Sequence, residues 1–135
     1  KLGKNMVVDT GHRSQRYYQE FMPAREHGNQ AILTVQNYLD EHFEKKVKVS
    51  ELAELCHMSE RSFLRHFHSA TGYKPIDYLQ RLRIQKACDL LETTHQSFDL
   101  IANQVGYDDT SACRKLFVRT LDLTPKQFRQ RFVKS

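Results

Sequence analysis

The feature that most restricts the fold of this chain is a pattern that occurs twice. The stretch SFLRHFHSATGYKPIDYL covers residues 62–79, and the stretch ACRKLFVRTLDLTPKQFR covers residues 112–129. A solenoid needs three or more repeats, so two copies predict two equivalent units instead. The matched pairs are Phe63 and Cys113, Arg65 and Lys115, Phe67 and Phe117, Pro75 and Pro125, and Tyr78 and Phe128.

The spacing of the apolar residues predicts an all-α fold. Apolar residues recur at helical intervals, strand-like alternation is hard to find, and the chain has only 5 Gly and 3 Pro. Asn29, Ser50, Ser59 and Ser97 are expected to cap the amino termini of helices, and Gly72 to end one in the left-handed conformation. Further expected caps are Asp108 or Asp109, and Thr124. Together these signals predict seven helices.

The helices are expected to form two helix-turn-helix lobes joined by a long linking helix. Residues 1–28 have no clean helical stripe and are predicted to be a linker or arm, partly ordered. The predicted DNA-binding domain covers residues 29–135. Within it, the first lobe covers residues 29–74, the linking helix residues 75–94, and the second lobe residues 95–135.

The second helix of each lobe is predicted to turn a basic, polar face to solvent. At about 100° per residue, Phe63, Phe67 and Ala70 fall on the buried side of the first copy, and Cys113, Phe117 and Thr120 on that of the second. The opposite sides carry Arg61, Ser62, Arg65 and Ser69 in the first copy, and Ser111, Ala112, Lys115 and Arg119 in the second.

Such faces have the chemistry that reads the major groove of DNA. Arg and Lys donate to guanine, hydroxyls approach base edges or phosphates, and an alanine methyl can meet a thymine methyl. One charged face is typical of any water-exposed helix. Two matching charged faces, each on a helix that follows a turn, favour DNA recognition. The net charge of +5 agrees with a polyanionic partner without requiring one. A helix from Pro75 to about Glu92 is about 27 Å long, which, with the thickness of the lobes added, suits two adjacent major grooves about 34 Å apart.

Catalysis and metal binding are not expected. His66 and His68 point about 200° apart on a helix, so that pair alone cannot share a metal. The sequence has no zinc-protease motif, glycine-rich phosphate loop or nucleophile elbow. The predictions are therefore no enzyme, no cofactor and no metal.

Cysteine usage and the absence of targeting signals predict a cytoplasmic protein. The 3 cysteines are an odd number without a C-x-x-C pair, which is typical of buried free thiols in a reducing compartment. There is no signal peptide and no apolar run long enough to span a bilayer. Two other non-enzymatic readings stay open: a non-specific DNA-binding protein, and a helical protein-interaction module.

Two segments closely resemble the DNA-binding domain of AraC/XylS-type transcription regulators. They are VSELAELCHMSERSFLRHFHSATGYKPIDYLQRLRIQKACDLLETT and IANQVGYDDTSACRKLFVRTLDLTPKQFRQRF, and they cover nearly all of residues 47–132. The paired endings of the form F-x4-G/D-x2-P-x2-Y/F make the resemblance specific. The stretch VVDTGHRSQRYYQEF is similar to the connector of the branch whose amino-terminal half is a class I glutamine-amidotransferase-like sensor domain.

The resemblance implies a bacterial-type transcription activator that binds double-stranded promoter or operator DNA and works with RNA polymerase. It implies that a small-molecule inducer binds an amino-terminal domain upstream of Lys1, where dimerisation also lies, and that this fragment is monomeric. Carried over by position, the base contacts fall on Arg61, Ser62, Leu64, Arg65, Thr110, Ser111, Arg114 and Lys115. Helix amino termini and basic or hydroxyl side chains predict phosphate contacts from Ser59, Ser69, Lys74, Arg119 and Lys126.

Two departures from the family pattern, and one unusual contact residue, carry expectations of their own. Cys113 stands where the family usually has a large apolar residue, so we expect a looser core in the second lobe. Asp122 stands where the first copy has Gly72, so we expect a differently built helix end, and the two departures together predict that the second lobe is the softer one. Leu64 is a poor hydrogen-bonding residue, so we expect it to make an apolar contact, for example with a thymine methyl.

Overall fold

The computed structural model describes residues 20–132, which form seven α-helices and no strand. This confirms the predicted all-α fold with two helix-turn-helix lobes and a long linking helix. No helix in this range has the length and apolar character needed to cross a membrane. The helices are α1 (Gln30–His42), α2 (Val49–Leu55), α3 (Glu60–Thr71), α4 (Pro75–Thr93), α5 (Phe98–Gln104), α6 (Thr110–Leu121) and α7 (Pro125–Phe132).

The long helix α4 supplies one half of its length to each of two hydrophobic cores. We call residues 29–74 lobe 1 and residues 95–132 lobe 2. Tyr78 and Leu82, from the first half of α4, are buried with the helices of lobe 1. Ile84 and Leu91, from the second half, are buried with the helices of lobe 2. This division explains why the apolar residues of α4 spread over a broad face.

Most of the predicted helix starts are confirmed. The side chains of Asn29, Ser59 and Ser97 each accept a hydrogen bond from a backbone N–H in the first turn that follows. Of the two aspartates considered for α6, Asp109 is the cap, and its Oδ1 accepts from the N–H groups of Ser111 and Ala112. Thr124 and Gln127 cap α7 reciprocally, since each side chain accepts from the backbone N–H of the other.

The predicted cap at Ser50 is wrong. Helix α2 begins at Val49, and Lys48 is the residue that precedes it. The Oε1 atom of Glu51 accepts a hydrogen bond of 3.2 Å from the N–H of Lys48. A carboxylate that reaches back in this way satisfies an otherwise unpaired donor, so the helix starts before the serine.

The expectation that Asp122 ends its helix differently from Gly72 is also wrong. Both residues are left-handed, with φ/ψ of 83°/2° at Gly72 and 58°/30° at Asp122. The Gly72 N–H donates to the His68 carbonyl, and the Asp122 N–H donates to the Val118 carbonyl. The physical reason is that aspartate tolerates the left-handed region better than most residues with a side chain.

Residues 20–28 form neither helix nor strand, and they lie against lobe 1. The buried Phe21 ring packs edge-on against Tyr73 and Tyr78, at centroid distances of 5.3 and 5.1 Å. The Phe21 N–H donates to Oε1 of Gln85 on α4, and the buried Gln36 amide donates to the Ala24 carbonyl. The rest of the predicted arm, residues 1–19, and residues 133–135 lie outside the described residues.

Candidate nucleic-acid interface

A small buried residue lets the first two helices of each motif approach closely. Ala53 on α2 and Ala102 on α5 are both at most 2% exposed. Both helices are followed by a turn that begins with the same backbone hydrogen bond, because the Met58 N–H donates to the Ala53 carbonyl and the Tyr107 N–H donates to the Ala102 carbonyl. These turns set the direction of α3 and α6.

Helix α3 has one buried and one exposed face, as the sequence predicts. Phe63 and Phe67 are fully buried, and Phe67 packs edge-on against Tyr78 of α4. On the opposite side, most of the predicted contact residues are exposed, and Ser62 is partly exposed. We call this exposed set reading face 1, and it consists of Arg61, Ser62, Leu64, Arg65 and Ser69.

Helix α6 repeats the arrangement in lobe 2. Cys113 and Phe117 are fully buried, and the predicted contact residues lie on the other side, with Thr110 partly exposed. We call this set reading face 2, and it consists of Thr110, Ser111, Arg114, Lys115 and Arg119. Both faces therefore hold basic and small polar side chains on the second helix of a helix-turn-helix.

Arg114 differs from the other predicted base-contact residues because it already has partners within the protein. Its Nη2 lies 3.8 Å from Oδ1 of Asp99, and its guanidinium lies 5.0 Å from the centre of the Phe98 ring. Both partners belong to the first turn of α5. The sequence reasoning missed this arrangement, although an acidic and an aromatic residue side by side at the start of α5 are the signal that could have indicated it.

Two of the predicted phosphate-contact residues lie at the amino termini of helices. Lys74 precedes α4, and Lys126 lies in the first turn of α7. Both side chains are exposed, and the unpaired N–H groups of a helix start favour an anion nearby. Ser69 and Arg119 are exposed at matching positions of α3 and α6. Ser59 is exposed too, but its hydroxyl oxygen already accepts from the Ser62 N–H.

Each lobe has a groove beside its reading face, and the two grooves differ in size. In lobe 1 the groove has a volume of about 620 Å³, and Val49, Leu64 and Ile76 line it together with Arg65 and others. In lobe 2 the corresponding groove has about 270 Å³. There Phe98 stands at the position of Val49, and Arg114 covers the Phe98 ring. The larger aromatic side chain and the stacked guanidinium thus leave less open space in the groove of lobe 2 than in that of lobe 1.

The three cysteines are free and buried, as predicted. Burial raises the pKa of the Cys113 thiol, behind reading face 2, to about 11, and burial also raises the pKa values of Cys56 and Cys88. A thiol that stays protonated at neutral pH is a poor nucleophile and a poor metal ligand. Among residues 20–132, no group of three or more His, Cys, Asp or Glu side chains is placed to hold a metal ion.

Residues 52–131 match the protein family described as a helix-turn-helix domain. The MmsAB operon regulatory protein of Pseudomonas aeruginosa is 34% identical over 94 residues, which are 70% of this chain and 31% of that protein. The regulator AlkR of Acinetobacter baylyi is 38% identical over 87 residues, 64% of this chain and 28% of that protein. The chain therefore spans about a third of the length of these curated relatives.

Solved structures share the fold. The DNA-binding domain of the global transcriptional factor AdpA, crystallised with a target DNA, is 34% identical with a TM-score of 0.70, and the match covers 74% of this chain and 90% of that one. The carboxy-terminal domain of the response regulator YesN from Fusobacterium nucleatum is 31% identical with a TM-score of 0.69, covering 75% and 99%. A probable AraC family transcriptional regulator from Rhodopseudomonas palustris shares the fold, with a TM-score of 0.68 and 21% identity. This match covers 78% of this chain and 100% of that one.

Proposed function

Since the chain belongs to the helix-turn-helix family of AraC-type transcription regulators, we propose that it uses its two reading faces to recognise one specific promoter sequence. The observation that carries this proposal is the presence of two exposed basic faces on equivalent helices, held by one continuous helix α4. The family consists of regulators rather than enzymes, and the target is double-stranded DNA.

In this proposal the two faces read different bases. Arg61 and Arg65 on reading face 1 donate to guanine, and Leu64, which is 41% exposed, contacts a thymine methyl. On reading face 2, Lys115 donates to guanine, while Ser111 meets base edges with its hydroxyl. Ser62, Thr110 and Arg114 complete the proposed base contacts. Because the residues at matching positions differ, the two half-sites differ in sequence, and the target need not be palindromic.

The remaining contacts position the protein on the phosphate backbone. We assign this role to residues at helix starts and on the outer faces of α3 and α6, where positive charge or an N–H group meets phosphate oxygens. Such contacts set affinity and its salt dependence, but they carry little sequence information. The residues are Ser59, Ser69, Lys74, Arg119 and Lys126.

The span of the two faces fits adjacent turns of one DNA duplex. Helix α4 has 19 residues, and at ~1.5 Å per residue it is about 28 Å long. Successive major grooves on one side of B-DNA lie about 34 Å apart, and the thickness of the lobes adds to the length of α4. One chain thereby gains the reach that two chains supply in a dimeric repressor.

The domain boundaries and the wider context of the chain belong to the same proposal. We assign residues 29–135 to the DNA-binding domain and residues 1–28 to a connector. The chain itself acts as a monomeric, cytoplasmic module that works with RNA polymerase, while an upstream domain binds the inducer. Relatives described as activators, such as RhaS and RclR, support activation rather than repression.

The proposal is tested by selecting binding sites from random DNA and measuring affinity for the selected site and for scrambled DNA at one fixed salt concentration. Equal affinity of the wild-type protein for both would refute sequence-specific recognition and favour a non-specific DNA-binding protein. Arg65→Ala should cost about 1–3 kcal/mol on the selected site and relax the preference at one base pair. Arg119→Ala, the contrasting variant, should weaken binding to both DNAs equally.

A further inference from the structure

The guanidinium of Arg83, near the middle of α4, is bonded to lobe 1. Its Nε donates to the carbonyl of Phe43 at 2.6 Å, and its Nη2 donates to the carbonyl of Lys45 at 2.8 Å. Phe43 ends α1, and Lys45 lies in the loop that follows. Arg83 thus holds the end of α1 through two backbone oxygens, about forty residues away along the chain.

The same guanidinium also contacts the turn of lobe 2. Its Cζ lies 5.2 Å from the centre of the Tyr107 ring. Gly106, the neighbouring residue, has a φ of +107°, and a Cβ placed on it would lie 2.9 Å from Arg83 Cζ and 2.9 Å from the Glu44 carbonyl oxygen. Only a residue without a side chain fits there, because both the backbone conformation and the available space exclude a Cβ.

Two more contacts connect the lobes at this place. The Phe43 ring packs against both hydrophobic cores, and Lys86 Nζ lies 5.4 Å from its centre. Lys46 of lobe 1 approaches Asp108 of lobe 2 at 3.9 Å, in an exposed pair. In lobe 2 three residues, 106–108, separate the residue that ends α5 from the residue that caps α6. In lobe 1 only two residues, 57–58, separate the end of α2 from the cap of α3. The additional residue is at the junction.

We propose that Arg83 is a positioning residue that fixes the spacing and angle between the two reading faces, so that the protein accepts one distance between its two half-sites. The inference rests on the proposed function above. Arginine suits the task because its planar group donates several hydrogen bonds in a fixed geometry while its face stacks on an aromatic ring. A lysine ammonium cannot bond both carbonyls and stack on Tyr107 at the same time.

Arg129 provides a matched control. Its guanidinium donates to three backbone carbonyls, those of Leu91, Thr94 and Gln96, at 3.1, 2.9 and 2.8 Å. All of these lie at the end of α4 and in the segment before α5, so Arg129 stabilises lobe 2 without bridging the lobes. Removing either guanidinium leaves carbonyls without their donors, but only the loss of Arg83 should loosen the junction.

The experiment measures the affinity of the chain for its selected site and for versions with one base pair inserted or removed between the half-sites. One base pair rotates a half-site by roughly 35° and moves it by about 3.4 Å. Wild type should lose about tenfold or more on either altered site. Arg83→Met should bind the original site about tenfold more weakly but differ less than about threefold among the three spacings. Arg129→Met should lower the melting temperature and keep the wild-type spacing preference.

A folded Arg83→Met protein with the full spacing preference of wild type would overturn the inference, since the role of Arg83 would then be stability alone. If Arg83→Met does not fold, Arg83→Lys takes its place, and the same loss of spacing preference is expected. Wild-type protein that prefers its selected sequence but tolerates all spacings would overturn the inference and leave the proposed function intact. Wild-type protein without any sequence preference would overturn both.

Discussion

In lobe 1 Phe67 packs on Tyr78 and on a second ring, Phe63, which lies four residues earlier in the same helix at a centroid distance of 5.6 Å. In lobe 2 Phe117 packs on Phe128 and on a second ring, which comes from Phe98 in the preceding helix at 5.7 Å. Cys113, which matches Phe63, is buried but small. A repeated backbone thus receives the same kind of core contact from a different element in each lobe. The expectation of a softer second lobe, based on Cys113 and Asp122, remains a prediction, and the contact of Phe98 with Phe117 is the reason to measure it.

The turns of the two motifs differ because their surroundings differ. His57 and Gly106 both have positive φ, at 57° and 107°. The side chain of His57 is exposed, so there is space for it despite the positive φ. Gly106, in contrast, lies against Arg83 and the backbone of Glu44, where a side chain has no space. The turn of lobe 2 is therefore constrained by the junction with lobe 1, whereas the turn of lobe 1 faces solvent at His57.

The largest expected effect comes from giving lobe 2 the residue of lobe 1 at the position where the rings differ. Phe98→Val should lower the free energy of unfolding by about 2–3 kcal/mol, because Phe117 keeps its contact with Phe128 but loses the Phe98 ring, and Cys113 is too small to replace that ring. Urea denaturation measures the change. Val49→Ala, the matched change in lobe 1, should cost about 1 kcal/mol, since Val49 is half-buried.

Cys113→Phe tests the compensation directly when it is added to Phe98→Val. The double variant should regain part of the lost stability, whereas Cys113→Phe alone should be destabilising because the site already holds the Phe98 ring. A double-mutant cycle should show a coupling of at least about 0.5 kcal/mol. Strictly additive effects would mean that Phe98 does not take the place of the missing Phe63 ring.

The buried thiol of Cys113 gives lobe 2 a pH dependence that Phe63 cannot give lobe 1. Its pKa rises from an ordinary value of 9.0 to about 11 on burial. Between these values the unfolded chain releases the proton and the folded chain keeps it, so the free energy of unfolding falls as the pH rises. This contribution is fully present below pH 9, and its loss at pH 10 is about 1.4 kcal/mol.

The measurement compares urea denaturation of wild type and Cys113→Ala at pH 8 and pH 10. The variant should lose less stability between the two pH values than wild type does. Cys56 and Cys88 remain in both proteins, and their raised pKa values contribute equally to each. An unchanged pH dependence in the variant would contradict the assignment to Cys113.

The two helix ends should respond to substitution in opposite directions. Gly72→Ala should destabilise lobe 1 by about 1 kcal/mol, because a Cβ is unfavourable in the left-handed region. Asp122→Gly should stabilise lobe 2 by roughly 0.5 kcal/mol for the same reason. Thermal denaturation of both variants checks the signs. A destabilised Asp122→Gly protein would show that the aspartate side chain contributes more at this end than its backbone conformation costs.

The smallest effect on stability concerns the ion pair of Arg114 with Asp99. Asp99→Asn should change the free energy of unfolding by less than about 1 kcal/mol, since the pair is largely exposed. It should raise the affinity for the selected DNA site a few-fold, because a carboxylate near the phosphates is removed and Arg114 is released. Asp89→Asn, the same change on an exposed residue of α4, controls for net charge. Weaker binding by Asp99→Asn would mean that Asp99 orients Arg114 towards DNA.

Features decided by neighbouring residues could be predicted from the sequence, and features decided by distant ones could not. The caps Asn29 and Ser97 and the left-handed Gly72 depend on a few adjacent residues, and the structure confirms them. Ser50 failed because a competing bond between Glu51 and Lys48 starts the helix earlier.

The arginine contacts could not be predicted, because they depend on which groups approach after folding. Arg83 and Arg129 bond backbone carbonyls more than thirty residues away, and carbonyls are present at every position of the sequence. The exposed face of α6 could be derived from helical periodicity, but the bending of Arg114 towards Phe98 could not. Periodicity indicates the direction in which a side chain leaves the helix, whereas its partner depends on the packing of α5.

The docking of residues 20–28 has a mechanical consequence. Because the Phe21 ring packs against both Tyr73 and Tyr78 and the Phe21 N–H is hydrogen-bonded to Gln85, a pull on the chain from its amino-terminal side loads lobe 1 and α4 first. The force reaches lobe 2 only through α4 and the junction between the two lobes. In a single-molecule stretching experiment with handles at residue 20 and at the end of α7, the first extension step should be the release of Phe21.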